Sequence, residues 1–142
     1  MMRSATLFVM LMMVVSGCGP SATTTATVSG EAEYQLGVAA FEKKDYAEAS
    51  RHFDIALRAG GLNADLAGEA LLQRVRCSIE TRQFSEARRD LEDLDRSPAP
   101  PDEVLAVRAY LHLKEGDREA ARTFYKEAQK LNPKISLPAE LN

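Results

Sequence analysis

From Glu31 onward apolar residues recur at every third or fourth position with polar and charged residues between them, and this pattern stops and restarts several times. A period near 3.6 is that of an amphipathic helix, and no stretch sustains the alternation of a strand. The pattern predicts helices over 31–43, 46–58, 64–81, 84–95, 102–115 and 118–131. Breakers set the ends. Gly60 and Gly116 can take the left-handed conformation that stops a helix. Pro98, Pro100 and Pro101 interrupt the chain between the fourth and fifth helices, and Pro133 ends the sixth. The expected fold class is all-α, with helices joined by short turns.

Residues 1–30 follow a different pattern. Their one charged side chain is Arg3, Leu7 to Val15 is an unbroken apolar run, and Gly19 to Gly30 is small and polar with no apolar period. Nine apolar residues in a helix span roughly 13 Å, about half of a bilayer core, which is too short for a transmembrane anchor. A basic start, a short apolar run and the small pair Ser16-Gly17 read together as a cleaved signal peptide over 1–17. The Ser/Thr-rich stretch over 18–30 cannot offset the entropy of being ordered. As a flexible coil it would hold the helices roughly 20 Å from a bilayer.

The helical part repeats itself. Asp45-Tyr46-Ala47-Glu48-Ala49, Gln83-Phe84-Ser85-Glu86-Ala87 and Asp117-Arg118-Glu119-Ala120-Ala121 each close one helical pattern and open another, and Ala49, Ala87 and Ala121 are separated by 38 and 34 residues. Two antiparallel helices approach closely only where small side chains face each other, which is the expected role of Gly37, Ala49 and Ala56. Phe53 and Tyr125 are large enough to fill the space between one helix pair and the next.

This arrangement resembles the tetratricopeptide repeat family. The first unit is the clearest, with Leu36-Gly37, Asp45-Tyr46, Ala49, Phe53, Ala56 and Leu57 at the family's helix and turn positions. The third keeps Gly116, Ala121, Tyr125 and Ala128, with Leu131-Asn132-Pro133 as terminator. The second departs, with Val75 in place of the small Gly, Leu91 and Leu94 where an aromatic and an Ala are usual, and Gly60-Gly61-Leu62-Asn63 inserted before it. The resemblance implies about three helical hairpins (31–63, 64–101 and 102–133) in a right-handed α-α superhelix, followed by a tail over 134–142. An unrelated six-helix array would satisfy the same hydrophobic pattern. A second resemblance lies in Val15-Ser16-Gly17-Cys18, which is similar to the lipobox of bacterial lipoproteins. It implies diacylglycerol on the Cys18 thiol, cleavage before that residue and acylation of the new amino group. Gly19, rather than Asp, implies an outer-membrane destination facing the periplasm under enterobacterial-type sorting.

Composition narrows the chemistry. Beyond Arg3, 17 basic residues stand against 21 acidic ones, a poor match for nucleic acid. With Cys18 lipidated, Cys77 has no disulfide partner and is expected to be a small buried hydrophobe. His52 and His112 fall in different units, with no Cys or carboxylate at metal-ligand spacing. Phosphate-loop and nucleophile motifs are also absent. No catalytic residue, metal, cofactor or small-molecule substrate is expected. Recognition remains.

In the tetratricopeptide family the first helix of each hairpin lines the concave face. Carried over by resemblance, that face takes Tyr34, Gln35, Val38, Phe41 and Glu42 from the first unit. Leu72, Gln73, Arg76, Ile79 and Glu80 come from the second, and Ala106, Val107, Tyr110, Leu113 and Lys114 from the third. Tyr34, Gln35, Val38, Leu72, Gln73, Arg76, Val107 and Tyr110 form the candidate protein-binding set, with Tyr and Arg the residues most enriched at binding hot spots. Val38, Phe41, Ile79 and Leu113 can equally pack between helices, and Arg76 can equally pair with Glu80 four residues on. Tyr34 and Val38 stand where a carboxylate clamp would need Lys and Asn, so capture of a chain terminus is not expected. The tail after Pro133 either folds back through Ile135 and Leu137 or leaves the last hairpin with an apolar face for a partner. The functional expectation is a non-catalytic adaptor, lipid-anchored at Cys18, that binds another envelope protein. More specific alternatives are a pilotin-like assembly lipoprotein for a secretin or pilus system, and a regulatory subunit of a cell-wall synthesis enzyme.

Overall fold

A computed structural model describes residues 29–141. The expectations for residues 1–28, including the signal peptide and Cys18, lie outside the described residues. Six helices follow one another: α1 (Gly30–Glu42), α2 (Tyr46–Ala59), α3 (Ala64–Glu80), α4 (Phe84–Leu94), α5 (Pro101–Glu115) and α6 (Arg118–Leu131). A single 3₁₀ turn, η1, covers Ala139–Leu141. Among the described residues there is no strand, and no helix is long and apolar enough to cross a membrane.

Each helix packs on the next in the chain, and α3 also packs on α5, so three hairpins stack in a row. Three linked hydrophobic clusters hold them. The first joins Tyr34, Ala49, Phe53 and Ala56 of the first hairpin to Ala70 and Cys77 of α3. The second joins Leu72, Val75 and Ile79 to Leu91 and Leu94 of α4 and to Val104, Val107 and Leu111 of α5. The third joins Ala109, Ala121 and Tyr125 to Leu141. The close approach within the first hairpin rests on small residues: Ala49 and Ala56 are fully buried, and Gly37 lies against the ring of Phe53. Cys77 is buried, and burial pushes its thiol up to about 12.

The three turns within the hairpins share one geometry. In each, two amides return to the end of the preceding helix: Lys44 N to Phe41 O and Asp45 N to Ala40 O, then Arg82 N to Ile79 O and Gln83 N to Ser78 O, then Gly116 N to Leu113 O and Asp117 N to His112 O. This double closure needs a left-handed residue at its centre. Gly116 supplies it without strain at φ 92°, whereas Lys44 and Arg82 adopt φ 61° despite their Cβ atoms. Gly60, expected to be left-handed, has a positive φ of 74° but an extended ψ of −174°. Its role is to start the longer link to α3 rather than to close a cap.

The next residue in each turn caps the second helix. Asp45 accepts from Glu48 N at 3.2 Å and Asp117 from Ala120 N at 3.0 Å. Gln83 sits in the same backbone conformation without a side-chain capping bond among the described residues. Gln83→Asp is therefore expected to stabilise the protein by about 0.5–2 kcal/mol, read as a higher urea midpoint of the full chain. A midpoint that stays put or falls would show that the turn does not tolerate the third cap.

The N-terminal end differs from expectation, and the C-terminal end takes one of the two courses expected of it. The stretch read as spacer gives up its last two residues to α1, where Ser29 caps the helix and Gly30 is buried. A Cβ on Gly30 would sit 2.4 Å from the carbonyl oxygen of Gly60 and 2.9 Å from that of Ala56, so only glycine lets α1 start here. At the other end the tail folds back. Ile135, Leu137 and Leu141 pack on the last hairpin, Gln129 donates to Ile135 O at 2.9 Å, and Arg122 donates to Leu141 O at 2.7 Å. The last hairpin is thus covered by its own chain, and the alternative of a bare apolar face for a partner does not form.

Candidate protein-binding groove

Two arginines on α3 define the two faces of the molecule. Arg74 and Arg76 are two residues apart, about 200° around a helix, so they point to opposite sides. Arg74 faces the side made by the second helices. Its guanidinium grips Asp90 of α4 with two bonds of 2.8 Å and reaches Asp54 of α2 at 3.1 Å. A cleft of about 640 Å³ lies over this cluster, bordered by Arg51, Ser78, Arg89 and Asp93. Several of its charges are already spent: Arg51 pairs with Glu48, Arg96 with Asp93, and Arg58 with Asp54.

Arg76 faces the side made by the first helices. It is half-buried and lines a cavity of about 200 Å³ whose other walls are Phe41 of α1, Glu80 of α3, Ala106, Val107 and Tyr110 of α5, and Tyr125 of α6. Among the described residues Arg76 has neither an ion-pair nor a hydrogen-bond partner. Glu80, the neighbour that helix spacing offers it, is engaged elsewhere: it accepts the hydroxyl of Tyr110 and lies 3.4 Å from Nζ of Lys114. Lys114 in turn sits over the Tyr110 ring, 5.0 Å from its centre. Burial first, and then the hydrogen bond to the Glu80 carboxylate, raises the Tyr110 hydroxyl above its ordinary value. Burial likewise raises Tyr125, while the Arg76 charge pulls it back.

The structure divides the candidate set. Arg76, Val107 and Tyr110 meet at the cavity, and Phe41, Glu80 and Ala106 join them from the wider set of first-helix positions. Leu72 and Val107 are nearly inaccessible core residues, although one edge of Val107 reaches the cavity wall. Tyr34 is also buried, its ring 5.8 Å from that of Phe53. It therefore packs the first hairpin and cannot offer its ring to a partner. Gly37 leaves the pocket that Phe53 fills, and Tyr34 closes over it. Val38 packs on the same cluster, and Gln35 is exposed away from the cavity. Gln73 lies one turn before Arg76; it donates to Glu69 at 3.2 Å, and its side-chain carbonyl oxygen is buried with no hydrogen-bond partner among the described residues. Tyr125 was legible only as a packing residue, because nothing in the spacing of α6 shows that its ring reaches between α3 and α5.

Residues 102–135 match the family model of the tetratricopeptide repeat. The chain therefore contains a tetratricopeptide repeat within an all-helical array of stacked hairpins. The match falls on the third unit, whereas the residue pattern alone made the first the clearest. The third unit keeps the terminating Pro133, where the first runs into Gly60-Gly61. Comparison with curated proteins gives no match.

Proposed function

We propose that this tetratricopeptide-repeat protein is a non-catalytic adaptor of the bacterial cell envelope, lipid-anchored at Cys18, that holds a segment of another protein along its first-helix face. Repeat folds of this kind serve as protein-interaction modules, and the observation that carries the reading here is the unpaired Arg76 in an apolar-walled cavity. Hot spots are enriched in Arg and Tyr and lie in desolvated pockets. The larger cleft on the opposite face is a weaker candidate because its central Arg74 is already bonded to two carboxylates.

The anchor rests on Val15-Ser16-Gly17-Cys18 following the short apolar run. Multiple acyl chains hold a protein to a bilayer far more firmly than one, at about 0.8 kcal/mol per buried methylene. Gly19 favours the outer membrane, and a polar stretch after Cys18 would let the repeats face the periplasm. Cys18→Ala is expected to abolish incorporation of radiolabelled palmitate in a bacterial host and to leave the precursor uncleaved. Equal labelling of wild type and variant would overturn the anchor and leave the groove reading standing. The pilotin-like and cell-wall-enzyme roles are finer versions of the same proposal. Affinity capture with the full chain separates them by whether a secretin, a cell-wall synthase or another protein is retained by wild type and lost with Arg76→Glu.

A further inference from the structure

We infer that the Arg76 cavity is the anchor point for an internal Asp or Glu of a partner's extended segment, seated beside a large apolar side chain, and that Tyr110 and Lys114 keep this anchor open by holding Glu80 away. The inference rests on the binding-groove reading and adds the chemistry of the occupant.

Charge complementarity supplies the acid. A half-buried guanidinium with no protein partner is costly to leave unpaired, and a carboxylate is the group its planar fork matches best. The helix itself offers Glu80 at the favourable spacing, yet Glu80 bonds Tyr110 and Lys114 across the gap to α5. Arg76 is thereby kept free, so an incoming carboxylate need not displace an existing partner. Cavity size and walls supply the apolar neighbour. About 200 Å³ bounded by Phe41, Ala106, Val107 and two Tyr rings is the volume of several waters, and an apolar side chain that displaces poorly ordered water gains affinity. Position supplies the internal placement. Arg76 lies on the central hairpin with first helices on both sides and is the one cation lining the cavity among the described residues; Lys114, which touches the Glu80 and Tyr110 walls from outside, is committed to Glu80. A lone cation midway along the face suits a side-chain carboxylate on a continuing chain better than a chain end.

The test is selection of random peptides, displayed either between Gly-Ser spacers or with free C-termini, on the immobilised full chain in detergent. Wild type is expected to enrich internal peptides carrying Asp or Glu next to Leu, Ile or Phe. Arg76→Ala should bind those peptides about tenfold or more weakly, and Arg76→Glu should enrich Lys or Arg in place of the acid. Tyr110→Phe frees Glu80 to compete for Arg76 and should weaken binding several-fold. Adding Glu80→Gln should restore it, a recovery that mere loss of the Tyr hydroxyl would not show. Enriched peptides with no acid, enrichment confined to free C-termini, or an acid preference that survives Arg76→Ala would each overturn the inference while leaving the groove as a binding face. Wild type that enriches nothing on this face would instead sink the groove reading on which the inference stands.

Discussion

Gly37→Leu is expected to lower the stability of the repeat array by about 1–3 kcal/mol, the range seen when bulk is forced into a packed core. The sign is informative because intrinsic propensity pushes the other way: glycine inside a helix is roughly 0.8–1 kcal/mol worse than alanine, and leucine is nearly as good as alanine. Without tertiary contact the substitution should therefore stabilise. In the fold, a Cβ at this position would lie 2.7 Å from Cε1 and 2.8 Å from Cδ1 of Phe53, and the rest of a leucine would extend further into that ring. Phe53 has nowhere to go, being fully buried with the Tyr34 ring packed on it. Ala39→Leu on the exposed side of the same helix is the control, expected to change stability by only a few tenths of a kcal/mol. Urea denaturation of the full chain measures all three proteins. A Gly37→Leu protein as stable as wild type, or more so, would reject the helix register of the first hairpin.

The second large effect belongs to Arg74. Arg74→Ala removes every side-chain bond made by Asp90, which is 7 % exposed, and leaves a carboxylate nearly out of water. Breaking a fully buried pair this way costs about 3–5 kcal/mol. Arg74 itself is about one-fifth exposed, and that contact with water brings the expected loss down to roughly 2–3 kcal/mol. Asp90→Ala should cost less, because Arg74 keeps Asp54 at 3.1 Å. Since the desolvation of two charges offsets much of their attraction, Arg74→Met combined with Asp90→Leu should recover most of the stability lost by either single change. The check is a double-mutant cycle closed with the same substitutions, Arg74→Ala, Asp90→Ala and the two together. Single losses that simply add, with coupling below about 0.5 kcal/mol, would mean that the clamp contributes nothing as a unit.

These two residues mark what was and was not legible in the sequence. Local information carried the helices: the apolar period, the breakers Pro101 and Gly116 and the turn acids Asp45 and Asp117 place the six elements within a residue or two of where they lie. Small-residue packing at Gly37, Ala49 and Ala56 was also readable, because close helix approach has few other solutions. Contacts between distant residues were not. Arg74 and Asp90 are separated by 16 positions and carry no spacing signal. Arg76 therefore stands out by its apolar neighbours, while the nearby arginine that ties α2, α3 and α4 together does not. Tyr34 misled for a similar reason. Its place on the first helix resembles a groove position, yet the space left by Gly37 lets Phe53 come up beneath it and draws the ring into the core. The left-handed turns at Lys44 and Arg82 were hidden because those side chains do not announce a positive φ, and only alignment with Gly116 exposes them. Fold-back of the tail through Ile135 and Leu137 was one of two courses the sequence left open; the bonds that fix it, from Arg122 and Gln129 to the carbonyls of Leu141 and Ile135, have no local signature.

The most direct test of the central claim, that a protein partner lies along the first-helix face, is site-specific photo-crosslinking in cells expressing the full chain. A photoreactive residue replaces Gln73, one helical turn before Arg76, or Arg89 in the cleft of the opposite face. The account predicts protein adducts from position 73 that disappear when Arg76→Glu is added, and none from position 89. Adducts from position 89 alone, or adducts at 73 that persist undiminished with Arg76→Glu, would contradict it.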